Sequence, residues 1–231
     1  MRIKAIVIKK TRTNEYDQIV TCYTEDYGTV RALARGILRP KSLQALQLDD
    51  LNLVEFEMIE GRALPIIASA QVLESFSNLR TGLPRLAAAQ FFVEVLDKIS
   101  FENERDPELW ELLNEMLTSL NSAPSGELMA TFRSYQNRFL DVLGYAPRTE
   151  HCVVCSGAVM NGHEKMIALS PELGGALCAD CFLVSKQGLL FDKHELLNNK
   201  GLSGQALDTF FEYVIGKKLS SLTLLYQVAK P

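Results

Sequence analysis

No run of apolar residues in this 231-residue sequence approaches the roughly 18 needed to cross a bilayer. At the amino end only Ala5 to Ile8 is uninterrupted, too short for the core of a secretion signal, and Lys9 and Lys10 follow where a cleavage site would stand. The expectation is a cytoplasmic protein with no membrane partner. Also missing are a G-x-S-x-G elbow, a Gly-rich loop able to cradle phosphate, an H-E-x-x-H helix and a convergent pair of carboxylates. Chemistry on a substrate is therefore not expected, and the chain is not expected to be an enzyme. Internal repeats and low-complexity tracts are absent. With 47% hydrophobic and 23% charged residues there is ample apolar surface to offset the entropy of ordering, which excludes a mostly disordered chain.

The net charge of −4 conceals an asymmetry. Residues 1–41 carry nine basic side chains against four acidic ones, a local balance of +5, and the rest of the chain holds −9. A basic amino-terminal module on an acidic body fits a polyanionic partner touched at one end, although a merely solvated charged face would give the same pattern.

Periodicity divides the chain into strands and then helices. Ile3–Lys9, Gln18–Thr24, Thr29–Ala34, Leu51–Ile59 and Ile66–Ser69 read as five short strands separated by turn formers, among them Asp26-Tyr27-Gly28 and Glu60-Gly61-Arg62, which suggests a small barrel or sandwich over 1–80. In the second strand Gln18, Val20, Cys22 and Thr24 share one face and Ile19, Thr21 and Tyr23 the other. Neither face is wholly apolar, as expected where a barrel wall meets solvent or a ligand. Near residue 81 the spacing becomes helical: Leu86, Ala89, Val93 and Leu96, then a cap at Asp106-Pro107 followed by Leu109, Leu112, Leu113, Met116, Leu117 and Leu120. A helix over Glu127–Leu143 carries Leu128, Phe132, Tyr135, Phe139 and Val142 and stops at Gly144. A last helix begins after Ser203, with Leu207, Phe210, Phe211, Val214 and Ile215 inward. These stripes are assigned to core.

Cys152, Cys155, Cys178 and Cys181 form CVVC and CADC, with 22 residues between the pairs. Each pair sets two thiolates on a tight turn, and two such turns offer the tetrahedral set of soft donors that a structural Zn²⁺ takes. A short segment with few large apolar groups needs such a staple. Two disulfides or a redox CxxC remain open alternatives, disfavoured by a reducing compartment and by the presence of two pairs. His151 and His163 could substitute as ligands but read better as neighbours. Cys22 reads as a half-buried strand residue. Four thiolates leave no open position for activating water, and Gly174-Gly175 reads as turn geometry ahead of the second pair.

The opening IVIKKTRTNEYDQIVTCYTEDYGTVRALARG, the RPKS at Arg39–Ser42, the FLDVLGYAP of Phe139–Pro147, and CVVC followed by LSPELGGALCADC together resemble the bacterial recombination-mediator family RecO, nearly end to end and in its order. Two features depart from it: the acidic net charge, and Pro40 where the family often has another basic residue. The resemblance implies an α+β multidomain fold, with an oligonucleotide/oligosaccharide-binding (OB) barrel over 1–80, a helical domain over 81–150 and 186–231, and an inserted zinc finger over 151–185. It implies a non-enzymatic, nucleoid-associated protein of DNA repair that binds and anneals single- and double-stranded DNA. It further implies engagement of the acidic tail of single-stranded-DNA-binding protein and, jointly with RecR, help in loading RecA. Lys9, Lys10, Arg12, Arg31, Arg35, Arg39 and Lys41 are the phosphate contacts expected for such a protein, with Tyr16, Tyr23 and Tyr27 as candidate stacking rings. Arg133 and Arg138 point away from their helix's apolar stripe and are the candidate partner-binding residues. The competing reading is a protein-interaction scaffold whose acidic helical body is the working surface and whose DNA contact is weak.

Overall fold

Buried and exposed side chains alternate along much of the first 74 residues, and there they build β1 (Arg2–Arg12), β2 (Gln18–Thr24), β3 (Gly28–Ala34), β4 (Leu53–Ile59) and β5 (Ile66–Glu74). The strands close into a barrel in the order β1-β2-β3-β5-β4, with β3 and β5 the one parallel pair. That connectivity is the OB topology. β3 and β5 meet at a single register pair, Leu33↔Ile66, and the one-turn helix α1 (Gln44–Gln47) lies against β5, where Gln44 donates to the Ala68 carbonyl. Ile3, Ala5, Val7, Val20, Cys22, Ala32, Val54, Phe56 and Ile67 fill the interior, with Leu48 beside them. The structure is a computed structural model and describes residues 2–102, 104–159, 165–193 and 204–229.

Two compact units divide the chain: residues 1–123 with 220–231, and residues 124–219. The first joins to the barrel α2 (Leu83–Ile99) and α3 (Pro107–Ser122). Asp106 caps α3 by accepting from the Leu109 N–H at 3.0 Å, and the stripe of five leucines and one methionine on that helix is buried as its spacing predicts. α2 is buried over more than one stripe, because a helix that the sequence reading did not separate, α7 (Ser220–Val228), packs on it. Glu94 of α2 holds α7 by its first turn: the N–H and hydroxyl groups of Ser220 and Ser221 all donate to its carboxylate at 2.7–3.2 Å.

The outer face of β2 is a correction. Tyr23 is buried as fully as the interior residues and Thr21 is buried beside it, and the Tyr23 ring lies 6.4 Å from that of Trp110 on α3. From Val20 to Thr24 both faces of this strand are buried, which explains its mixed pattern there without a ligand. Cys22 is fully buried rather than half-buried.

The second unit contains α4 (Leu128–Val142), a three-stranded sheet in the order β7-β6-β8 made of β6 (Met166–Ser170), β7 (Gly175–Leu177) and β8 (Leu189–Asp192), and the helices α5 (Ala179–Ser185) and α6 (Gly204–Ile215). Gly144 takes φ +75° just past α4, as its place in the sequence predicts. β8 extends the finger's sheet past residue 185 into a stretch expected to be helical. The signal was weak there because Leu189 and Leu190 are both exposed and show no alternation. No described helix is long and apolar enough to cross a membrane.

Candidate metal centre and nucleic-acid interface

Two turns converge to make the cysteine cluster. The Ser156 N–H donates to the Cys152 carbonyl and the Cys152 N–H to the Gly157 carbonyl, so the chain doubles back at once after Cys155. Cys178 sits at the N-terminal boundary of α5 and Cys181 one turn later. Gly175 is required in this arrangement, because a Cβ there would collide with the Arg148 carbonyl that accepts from Ala176. Cys152, Ala168 and Leu177 form a small core beneath, flanked by Val153, Leu173 and Phe182. The four sulfurs lie within 4.8 Å of one another, with Cys155 and Cys178 at 3.6 Å. Tetrahedral thiolates around Zn²⁺ at about 2.3 Å have sulfurs about 3.8 Å apart, so the donor set fits that ion.

Electrostatics point the same way. Burial works to raise the Cys152 thiol, but N–H groups of Cys155, Cys178 and Val154 donate to its sulfur and bring it down to about 6. Cys181 is pushed up to about 12, chiefly by its Cys178 neighbour and by burial. The Cys181 N–H lowers Cys178, yet burial and the side chains of Cys155 and Cys152 leave it raised. One thiolate forms easily and its neighbours resist. A divalent cation removes that conflict by balancing their charge. His151 lies in an isolated bridge with Ala158, outside the four-sulfur cluster, and His163 falls outside the described residues.

The barrel brings a second group of residues together. β1 ends where β2 begins (Arg12↔Gln18), β3 ends opposite the same residue (Gln18↔Ala34), and β5 begins beside β3 and the end of β4 (Leu33↔Ile66, Ile59↔Ile66). Three loops therefore share one rim: 13–17, 35–43 and 60–65. They and the adjoining strand end carry exposed Arg12, Arg35, Arg39 and Lys41, four of the seven expected cations, together with Arg62, which sequence reasoning missed. Arg62 stands 50 positions from Arg12, in a stretch read only as a turn, and strand order alone makes them neighbours. Asp17 ties the loops: its carboxylate accepts from the Asn14 amide and the Gly36 N–H, at 2.9 and 2.7 Å. These bonds, aided by Arg35 and Arg39, hold its pKa below the ordinary aspartate value.

The other three expected cations are not at this rim as free charges. Lys9 donates to Asp97 of α2 at 3.1 Å, Lys10 to Asp49 at 2.7 Å, and Arg31 pairs with Glu102 at 3.9 Å. A carboxylate of α2 neutralises the first, an acidic turn the second and the acidic α2–α3 connection the third. Of the three tyrosines, Tyr23 is buried and Tyr27 packs against the barrel core, while Tyr16 stands exposed in the 13–17 loop. OB barrels take oligonucleotides across strands 2 and 3 and with the loops joining strands 1–2 and 4–5. Here Trp110 of α3 packs on Tyr23 at the outer face of β2, and the loops stay open.

On α4 the two arginines differ. Arg133 faces α6: its Nη1 lies 2.5 Å from Asp208 Oδ1 and 2.6 Å from Gln136 Oε1, and its Nη2 lies 3.3 Å from Asp208 Oδ2. Gln136 is fully buried and donates to Asp208 at 3.1 Å. Arg133 lies off the apolar stripe of α4, as its position in the sequence predicts, but α6 covers that side of the helix. Arg138 is exposed, its guanidinium 5.1 Å from the Tyr135 ring centre.

Comparison with known proteins gives a consistent result. A family model described as Recombination protein O N terminal matches residues 1–76, and one described as Recombination protein O C terminal matches residues 80–216. The DNA repair protein RecO of Moorella thermoacetica is 28% identical over 248 aligned positions, spanning 97% of this chain and 90% of that protein. The DNA repair protein RecO of Roseiflexus sp. is 34% identical over 188, spanning 81% of this chain and 64% of that protein. The one of Rubrobacter xylanophilus is 34% identical over 180, spanning 78% and 71%.

Proposed function

The chain belongs to the RecO family of DNA repair proteins, and from that premise we propose that it binds DNA at the loop-bearing rim of its barrel, as a cytoplasmic, nucleoid-associated mediator that performs no covalent chemistry. The observation that carries this reading is the convergence of Arg12, Arg35, Arg39, Lys41 and Arg62 on three loops of one rim, while Trp110 of α3 packs on Tyr23 at the outer face of β2. Guanidinium and ammonium groups there neutralise phosphates and release counterions, which gives affinity for single and double strands without sequence preference. Holding two strands by their backbones permits annealing. Zn²⁺, held by Cys152, Cys155, Cys178 and Cys181, staples the second unit. The acidic tail of single-stranded-DNA-binding protein meets exposed Arg138, with Arg133 fixing α4 against α6. RecR completes the assembly that loads RecA.

A titration of labelled oligonucleotide at two salt concentrations tests the rim. Replacing Arg12, Arg35, Arg39 and Lys41 together with alanine is expected to weaken binding and reduce the salt slope by about four, whereas Lys9→Ala with Arg31→Ala changes the slope by less than about one. Equal effects of the two sets would remove the rim as the site. The neutralised Lys9, Lys10 and Arg31 favour one second reading, an interaction scaffold with weak DNA contact; a flat salt dependence of the parent protein selects it.

A further inference from the structure

We infer that Tyr16 and Arg39 form a stacking platform for an unpaired nucleobase, which makes the rim discriminate single strands from duplex; this rests on the rim being the DNA site. The Arg39 guanidinium carbon lies 5.3 Å from the centre of the Tyr16 ring, although the two residues belong to different loops. Tyr16 as a residue is 43% exposed. Its backbone is held on both sides: the Tyr16 N–H donates to Asn14 Oδ1 at 2.9 Å, and the Tyr16 carbonyl accepts from the Leu38 N–H at 3.0 Å. Arg39 is held as well. Its N–H donates to the Gly36 carbonyl at 3.1 Å, and its side chain folds over Gly36, whose φ of +65° favours glycine in that turn. Asp17 bridges the two loops through the Asn14 amide and the Gly36 N–H. The platform is thus ordered before a ligand arrives, which lowers the entropic cost of binding.

The chemistry of the surroundings selects the ligand. A flat aromatic and a planar guanidinium take a π-face, and every base offers one once it is unstacked. Arg12, Arg35 and Lys41 stand around the platform as phosphate partners, so the matching ligand is a flexible polyanion with free rings. Duplex DNA presents the same phosphates but keeps its bases stacked inside. Phe101 is more exposed than Tyr16, but the carboxylates of Glu102 and Glu104 are its near neighbours in sequence, and the backbone there bonds to Thr29 at the other end of β3. A phosphate backbone is repelled there.

The test compares an oligothymidylate with a duplex of equal length, using the full chain with its zinc. Tyr16→Ala is expected to weaken single-strand binding about fivefold or more, the effect of losing one stacked base, and duplex binding less than about twofold. Tyr16→Phe keeps parental affinity, because the ring and not the hydroxyl is used. The alanine set at Arg12, Arg35, Arg39 and Lys41 weakens both ligands. Equal losses on the two ligands, no loss, or a Tyr16→Phe variant as weak as Tyr16→Ala overturns the platform. If the four-residue set also leaves both affinities intact, the rim itself falls with it.

Discussion

Replacing Arg133 with alanine should unfold the second unit well before the first. The guanidinium makes two bonds to Asp208 and one to Gln136, and the two charged side chains are only 16% and 9% exposed. Truncation takes the two guanidinium bonds from the Asp208 carboxylate, whose partners include the Gln136 amide, in a site too dry to replace them with water. It also removes a guanidinium lying 5.1 Å from the Phe132 ring centre. Removing one member of a buried pair costs about 3–5 kcal/mol, and each kcal/mol moves Tm by roughly 4–8 °C in a domain of 60–100 residues. A downward shift of about 12 °C or more is therefore expected in the transition of residues 124–219, followed by far-ultraviolet circular dichroism. The sole tryptophan, Trp110, is in the first unit and reports that unit separately. Arg133→Met with Asp208→Leu should recover most of the loss, because volume returns and no charge is stranded. A single Arg133→Ala variant within about 0.5 kcal/mol of the parent would refute this reasoning and return Arg133 to the surface as a candidate for an acidic peptide.

The cysteine cluster should hold one zinc per chain; Cys178→Ser lowers the metal content and unfolds the finger while Trp110 fluorescence stays native, and stoichiometric zinc in a Cys152→Ser/Cys178→Ser variant sinks the assignment. Tyr23→Ala should cost about 3 kcal/mol or more in denaturant titration, as for other fully buried large rings; a small cost would reopen the outer face of β2 to ligands. Burial works to raise the Glu94 pKa, but the four bonds from Ser220 and Ser221 outweigh it and leave the carboxyl below its ordinary value. Its contribution is therefore present above the usual glutamate range and lost as pH falls through the lowered value. Glu94→Gln should flatten the acid limb of the first unit's stability profile, and an unchanged limb counts against the cap.

Local rules made several elements legible. Asp106-Pro107 marked the start of α3 because a capping carboxylate and a proline at the first helical position act within four residues. The α3 and α4 stripes followed from helical spacing, and Gly144 from the left-handed turn it permits. The four cysteines were readable because CxxC fixes a knuckle by itself, and two knuckles have one common use for soft ligands. The family resemblance was readable in the same way, from ordered motifs.

Long-range packing decided the rest. Whether Lys9, Lys10 and Arg31 face phosphate or carboxylate depends on Asp97, Asp49 and Glu102, which lie 88, 39 and 71 residues further along the chain. Charge composition counts such residues and cannot pair them. Tyr23 looked like a wall residue because its burial comes from α3, and Arg133 read as a partner-binding residue because Asp208, which holds it, is 75 residues away on α6. Arg62 joined the rim only when strand order set β5 beside β3. The sequence by itself determined which residues are charged, which can bind metal, where α3 begins and where α4 ends, since those properties act over one or two turns. Tertiary structure alone decided which charges are left over, because a cation's availability is set by whatever carboxylate the fold brings within about 4 Å.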